Sequence, residues 1–116
     1  VKATENATAE ERWSSHFVRA ALRLTIETKL LGFLPDDMSS PDIIGLAVEI
    51  GTAFVLNDYG MIPDRIRDQP TVRRWSAMLV GGPEVAGFAA GLAQHAIDAM
   101  KAAESEVEAA SNRKAA

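Results

Sequence analysis

The chain has 116 residues, of which 47% are hydrophobic and 24% are charged, and its formal net charge at pH 7 is −4. A chain of this length corresponds to one domain that can bury roughly two-thirds of its unfolded surface, so it can fold without cross-links. The absence of cysteine excludes a disulfide framework and thiolate chemistry, and the negative charge argues against a general binder of polyanions.

The first predicted helix spans residues 9–31 and follows a flexible N-terminus at residues 1–8. Thr8 precedes Glu11 by three residues, which is the spacing of a capping box, and Gly32 is placed to end the helix. Apolar residues recur between them at helical spacing and predict the core-facing stripe of this helix: Trp13, Phe17, Ala20, Ala21, Leu24 and Leu31, widened by Val18, Leu22 and Ile26.

The second predicted helix spans residues 41–58 and is apolar around most of its circumference. Ser40 and Pro41 are typical of an N-cap and a first helical position, and Gly60 followed by Met61 is typical of a helix end. A narrow polar line interrupts the apolar surface, and it consists of Asp42, Glu49 and Thr52. Such a helix lies either at the centre of a bundle or against a second subunit.

Two further helices are predicted, at residues 70–80 and from residue 83 to at least 104. Gly81 and Gly82 separate them, and Pro70 and Pro83 suit the first helical positions. The alanine-rich and charged segment 105–116 either extends the last helix or frays. No segment shows sustained period-two alternation, so the prediction is an all-α compact bundle of about four helices with short connections, with residues 9–104 as a single domain.

The glycines near residue 85 resemble the frame of a phosphate-binding loop but lack its chemistry. Gly82 and Gly87 stand five apart, yet Phe88 and Ala89 occupy the positions where a P-loop has lysine and a hydroxyl. We therefore interpret Gly87 and Gly91, four apart on one helix face, as a site of close helix packing. An anion site at the start of the helix is the alternative, although Glu84 would compete with the anion there.

Catalytic and metal-binding patterns are scarce. His95 lies on the apolar stripe of the last helix, where it is interpreted as a core or interface residue, and a metal site with Asp98 would need ligands that no motif supplies. We therefore predict no enzyme activity and no cofactor. A basic row on the first helix, made of Arg12, His16, Arg19 and Arg23, is either a solvated face with ion pairs or a contact surface for an acidic partner.

The segment PDRIRDQPTVRRWSAML, within residues 63–80, resembles part of a helix-turn-helix motif. This resemblance implies a DNA-binding regulator, which is the alternative to the favoured function. Its candidate nucleic-acid contacts are Arg65, Arg67, Thr71, Arg73 and Arg74. It departs from the motif because the helix before the turn would have only about one turn.

The favoured function is a small helical protein–protein interaction module. It would act as a homodimer or higher oligomer, an accessory or regulatory subunit, or a structural part of a larger assembly such as a phage particle. We place Val48 and Val55 on an apolar strip of the second helix outside the core, where they would form the interface. Because no apolar run reaches the about 20 residues of a membrane span, and the N-terminus is polar, we expect no membrane partner and a cytoplasmic location.

Overall fold

The computed structural model describes residues 7–64 and 68–115, and this part of the chain contains four α-helices. They are α1 (Ala9–Thr25), α2 (Pro41–Asp58), α3 (Gln69–Gly81) and α4 (Glu84–Ala115). A π-helical turn at Ile26–Leu30 and two 3-10 turns, Leu31–Phe33 and Asp36–Met38, connect α1 to α2, and the described residues contain no strand. The prediction of an all-α bundle is confirmed.

The ends of the first two helices follow the capping signals of the sequence. Thr8 and Glu11 form the capping box: the Glu11 N–H donates to the Thr8 hydroxyl at 3.1 Å, and the Thr8 N–H donates to the Glu11 carboxylate at 2.9 Å. Gly60 ends α2 with φ +70°, in the left-handed region. The N–H of Met61 donates to the carbonyl of Leu56 at 2.9 Å, which completes a Schellman motif.

The first helix is shorter than predicted because its last turns change hydrogen-bond pattern. After Thr25 the chain continues as the π turn, in which the Leu31 N–H donates to the Ile26 carbonyl, and then as a 3-10 turn that contains Gly32. The hydroxyls of Thr25 and Thr28 donate to carbonyls one turn back, at 2.8 and 2.7 Å. Such back-bonding competes with regular helix geometry.

The second helix is the centre of the bundle, since α1, α3 and α4 all pack against it. A Cβ placed on Gly51 would lie 2.8 Å from a methyl carbon of Leu22, and one on Gly45 would lie 3.1 Å from the Trp75 ring. Glycine at these two positions is what allows α1 and α3 to approach α2 so closely. Leu22 lies in a core cluster with buried residues of all three long helices: Ile26, Ile44, Ala47, Val48, Ala89, Leu92, Ala96 and Ile97.

The polar line of α2 faces its neighbours rather than solvent. Glu49 accepts a hydrogen bond from Arg19 of α1 at 2.7 Å, and Asp42 accepts one from Arg74 of α3 at 3.3 Å. Thr52 is buried, and its hydroxyl donates to the Val48 carbonyl at 2.7 Å. The contacts of Glu49 and Asp42 attach α1 and α3 to the central helix. Each of the three polar side chains in this line therefore has a hydrogen-bond partner within the chain.

The apolar stripe predicted for the core side of α1 is largely on the surface. Trp13 is 68% exposed, Phe17 58% and Leu24 62%, whereas Ser15, Leu22 and Ile26 are buried. The residues that only widened the predicted stripe therefore make the core contacts. The stripe of larger side chains is left on the opposite, outer side of α1.

Glu11 links the start of α1 to the segment after α2, and this link is expected to make folding stability depend on pH. Hydrogen bonds from the backbone N–H groups of Ile62, at 2.7 Å, and of Thr8 lower the pKa of Glu11 below its ordinary value of 4.5. A carboxyl whose pKa is lower in the folded state contributes stability above its unfolded pKa, and that contribution is lost as the pH falls through the folded value.

We therefore expect Glu11→Gln to flatten the fall in the free energy of unfolding below about pH 4.5, measured by urea denaturation at several pH values. Glu10→Gln is the matched control, because the Glu10 carboxylate accepts no hydrogen bond from the described residues. An equal flattening in both variants would contradict the role assigned to Glu11.

Candidate protein-interaction site

The outer side of α1 carries a run of exposed apolar residues that we call the α1 front, defined as Trp13, Phe17, Ala20 and Leu24. Their spacing of four, three and four residues places all four on one side of the helix. The rings of Trp13 and Phe17 stack, with centroids 5.6 Å apart and planes at 12°. The stacking holds two large aromatic side chains together on a surface in contact with solvent.

A groove borders the α1 front and has a volume of about 510 Å³. Phe17 and Ala21 line it from α1, Val55 and Tyr59 from the end of α2, and Met100 from α4. A smaller hollow of about 230 Å³ continues it past Trp13 towards Met61. The front and the groove therefore form one continuous apolar surface that spans three helices.

Charged side chains of both signs stand along the walls of the groove. Lys29 lies on one side, Lys101 and Glu104 lie on α4, and Asp58 lies at the end of α2. None of these four has an ion-pair partner among the described residues. A partner surface with apolar side chains at its centre and charges at its edges would match this arrangement.

The exposed apolar area reaches the upper end of the range for a typical monomer. Tyr59 is 77% exposed, and aromatic side chains bury about 150–250 Å² each in protein cores and interfaces. With Trp13, Phe17 and Leu24, the surface comes to about 600 Å². The largest apolar patch on a typical monomer is about 300–600 Å², and each side of a stable complex buries about 800 Å². A surface of about 600 Å² is at the upper end of the monomer range and below the area that each side of a stable complex buries.

The predicted basic row on α1 is only partly free. Arg19 is engaged by Glu49 and by the carbonyl of Asp64. Arg12 donates to the carbonyl of Ala7 at 2.9 Å, and Arg23 lies 3.9 Å from Glu27. Arg12, Arg23 and His16 are nevertheless exposed, and they flank the α1 front on the side away from the groove. The ion-pair interpretation therefore applies to Arg19 and Arg23, and the contact surface for an acidic partner stays a prediction.

The structure corrects the position of Val48. That side chain is 1% exposed and belongs to the core, so it does not lie on an outer strip of α2. The outer position had been inferred because α2 is apolar around most of its circumference, but α1, α3 and α4 all pack against it. Val55 is half-buried and lines the groove, so it does lie at the candidate surface.

Gly87 and Gly91 do not mediate close packing within the chain. Both are exposed, and a Cβ added at either would have no neighbour within 4 Å among the described atoms. The glycines that do mediate close contacts are Gly45 and Gly51, which sequence reasoning missed. His95 is likewise exposed on α4, beside Gly91, rather than in the core.

The open position of Gly91 predicts a stabilising substitution. Gly91→Ala is expected to raise the free energy of unfolding by about 0.5–1 kcal/mol, because alanine has the better helix propensity and here meets no obstacle. Chemical denaturation of the isolated protein would measure the change. Loss of stability in this variant would show that another surface covers the glycine face in solution.

The arginines of the helix-turn-helix-like segment differ in their hydrogen bonds and exposure. Arg65 and Arg67 lie outside the described residues. Arg74 bonds Asp42 and the Thr71 hydroxyl, which itself donates to the Asp68 carboxylate. Arg73 is exposed on α3. Residues 61–64 and 68 are not helical, so a short helix before α3 is not seen in the described part of this segment.

Groups with catalytic potential are few on the described surface. No cluster of three or more His, Cys, Asp or Glu side chains that could hold a metal occurs in residues 7–64 and 68–115. Asp98 bonds Gln94 at 3.0 Å. Within the same residues no single helix is long and apolar enough to cross a membrane, and α3 and α4 satisfy that test only together, as a pair bent by 116°.

Comparisons with known proteins assign the chain to no group: no family model, curated protein or solved structure matches it. The functional argument therefore rests on the surface itself. The α1 front and the groove are its most distinctive features, and the front was present in the sequence as an apolar stripe. Its exposure could have been suspected because α1 carries a second apolar line, through Val18, Leu22 and Ile26.

Proposed function

We propose that the protein is a protein–protein interaction module that associates with further copies of itself through the α1 front and the adjoining groove. The observation that carries this proposal is the exposure of the stacked pair Trp13 and Phe17 beside Tyr59. Aromatic residues of this kind are enriched at the centres of interfaces.

The energetics support association. Removing about 600 Å² of apolar surface from water contributes about 15 kcal/mol per copy at 25 cal/mol per Å². Association costs of about 4–15 kcal/mol and the ordering of side chains oppose this gain. When the cost is at the low end of this range, the surplus reaches the about 8 kcal/mol of a micromolar dimer. Twofold symmetry is the commonest arrangement for such an assembly.

Sedimentation velocity of the purified chain tests the proposal. The expected result is a species of about twice the 12.5 kDa chain mass at micromolar concentration, in exchange with monomer on dilution. A chain that stays monomeric up to about 1 mM, where a dissociation constant corresponds to only about 4 kcal/mol, would overturn it.

The DNA-binding regulator stays a prediction, and we expect it to fail a direct measurement. Duplex affinity that depends on phosphate contacts falls with salt, with a log–log slope of about −0.9 for each contact. We expect no saturable binding of a random duplex at physiological salt by fluorescence anisotropy. A salt-sensitive complex whose slope flattens in Arg73→Ala would instead favour the DNA-binding function.

A further inference from the structure

The C-terminal part of α4 is a second unpartnered helix surface. We call residues 105–115 the α4 tail; the side chains of residues 105–109 and 111–114 are exposed, and Val107 is 69% exposed. Isolated helical segments this short are marginal in water, so a helix that continues beyond its packing is a candidate for contact with another molecule.

The buried side of α4 continues without a break into the tail. Val85, Ala89, Leu92 and Ala96 are buried and recur every three or four residues. The same spacing leads to Met100, Ala103, Val107 and Ala110, which lie within about 50° of that line at 100° per residue. The tail thus continues the buried stripe of α4 with the small apolar side chains of Val107 and Ala110.

Charge distinguishes between the possible occupants of the α1 front. The front is flanked by the exposed Arg12, His16 and Arg23, so packing two fronts antiparallel would bring the two basic rows together. Acids stand at Glu104, just before the tail, and at Glu106 and Glu108 in its first turn, whereas Arg113 and Lys114 lie in its last turn. Over residues 104–108 the apolar stripe therefore has acidic flanks, which are complementary to the basic flank of the α1 front.

We propose that the α4 tail of a second copy covers the α1 front, and that the two copies exchange tails reciprocally. This inference rests on the proposed self-association. The tail runs antiparallel to the partner α1, so that small side chains meet large ones: Ala110 packs on Phe17 of the other copy, and Val107 packs on Ala20.

The same register places Ala103 on Leu24 and brings one acid of the tail to the basic row. Glu106 comes next to Arg23, and the Lys114 ammonium comes next to the Trp13 ring, where a cation is attracted to the face of the indole. The tail thereby gains the packing that its own chain does not provide.

Disulfide cross-linking between two singly substituted chains tests this register. The chain contains no cysteine, so Ala20→Cys and Val107→Cys each introduce one thiol, and mixing the two variants excludes a bond within one chain. A disulfide forms only when the Cα atoms are about 4.4–6.8 Å apart. We expect mild oxidation of the mixture to give a 20–107 covalent dimer, identified by mass spectrometry.

The control mixture pairs Val107→Cys with Ser76→Cys, an exposed position on α3 away from the front. The 20–107 dimer is expected to form about tenfold or more faster than the 76–107 dimer, because thiols held in contact react at a raised effective concentration. Both measurements use the full chain and are read alongside its sedimentation.

The outcomes separate this inference from the proposed function. A dimer by sedimentation that cross-links Ala20→Cys only to itself would show that two fronts face each other and would overturn the tail exchange. A sedimenting dimer with no 20–107 product above the Ser76→Cys background would also overturn it. A monomer by sedimentation would refute the self-association itself.

Discussion

Leu22→Ala is expected to lower the free energy of unfolding by about 2–5 kcal/mol, the range observed for truncating a buried leucine. Leu22 is fully buried and packs between α2 and α4, so its loss leaves a cavity at the point where three helices meet. Urea denaturation followed by circular dichroism would measure the loss as a lower midpoint at unchanged slope.

The contact between Leu22 and Gly51 adds a coupling to this prediction. In the native background, Gly51→Ala places a methyl group 2.8 Å from Leu22, so overpacking of about 1–3 kcal/mol opposes the gain in helix propensity of about 1 kcal/mol. In the Leu22→Ala background the same methyl group enters vacated space and is expected to stabilise.

Gly91→Ala is the matched control, because it should add the same increment in both backgrounds. Equal effects of Gly51→Ala in the two backgrounds would mean that α1 and α2 are not in contact at this position.

Phe17→Glu is expected to raise the dissociation constant of the self-associated form by about 100-fold or more. The substitution puts an unpaired carboxylate in the centre of the proposed interface, and a 100-fold change corresponds to about 2.7 kcal/mol, a value typical of interface hot spots. The monomer should remain folded, because Phe17 is more than half exposed there. Sedimentation and circular dichroism on the same samples separate the two effects.

Phe33→Glu is the control for this prediction. Phe33 is 87% exposed in the turn after α1 and lies outside the α1 front and the groove. It should leave both association and folding unchanged. If the two variants weaken association equally, the effect is one of net charge and the α1 front is not the interface.

The sequence predicted three helix limits well from local signals, although Gly32 did not mark the end of α1. Thr8 with Glu11, Ser40 with Pro41, and Gly60 with Met61 each satisfy backbone groups within a few residues of themselves, so their geometry does not depend on distant parts of the chain. The central place of α2 is one of the two locations that its apolar circumference predicted. These elements required no knowledge of tertiary contacts.

The orientation of α1 could not be predicted in the same way. The line through Trp13 and Phe17 and the line through Val18 and Leu22 both have helical periodicity, and periodicity does not identify the inner one. The structure buries the smaller residues together with Ser15, whose hydroxyl accepts a hydrogen bond from the Asp64 N–H at 2.9 Å. That contact joins residues 49 positions apart, beyond the reach of a local pattern.

The sequence also did not show which glycines make close contacts between helices. Gly87 and Gly91 attracted notice because they form a small-residue face, yet Gly45 and Gly51 make the close contacts from inside an apolar helix. A helix sequence does not reveal which of its small residues faces a neighbour, because that depends on the packing partner. The prediction that Val48 lies at an interface was wrong for the same reason.

The π-helical turn at Ile26–Leu30 limits the length of the α1 front that one straight partner helix can follow. Its hydrogen bonds close over five residues instead of four, so the side chains after Ile26 are rotated away from the line of Trp13 and Leu24. A straight partner helix can follow that line for only about 17 Å, or three turns. A contact of this length suits subunits with a short residence time, which separate and recombine, rather than a permanently locked pair.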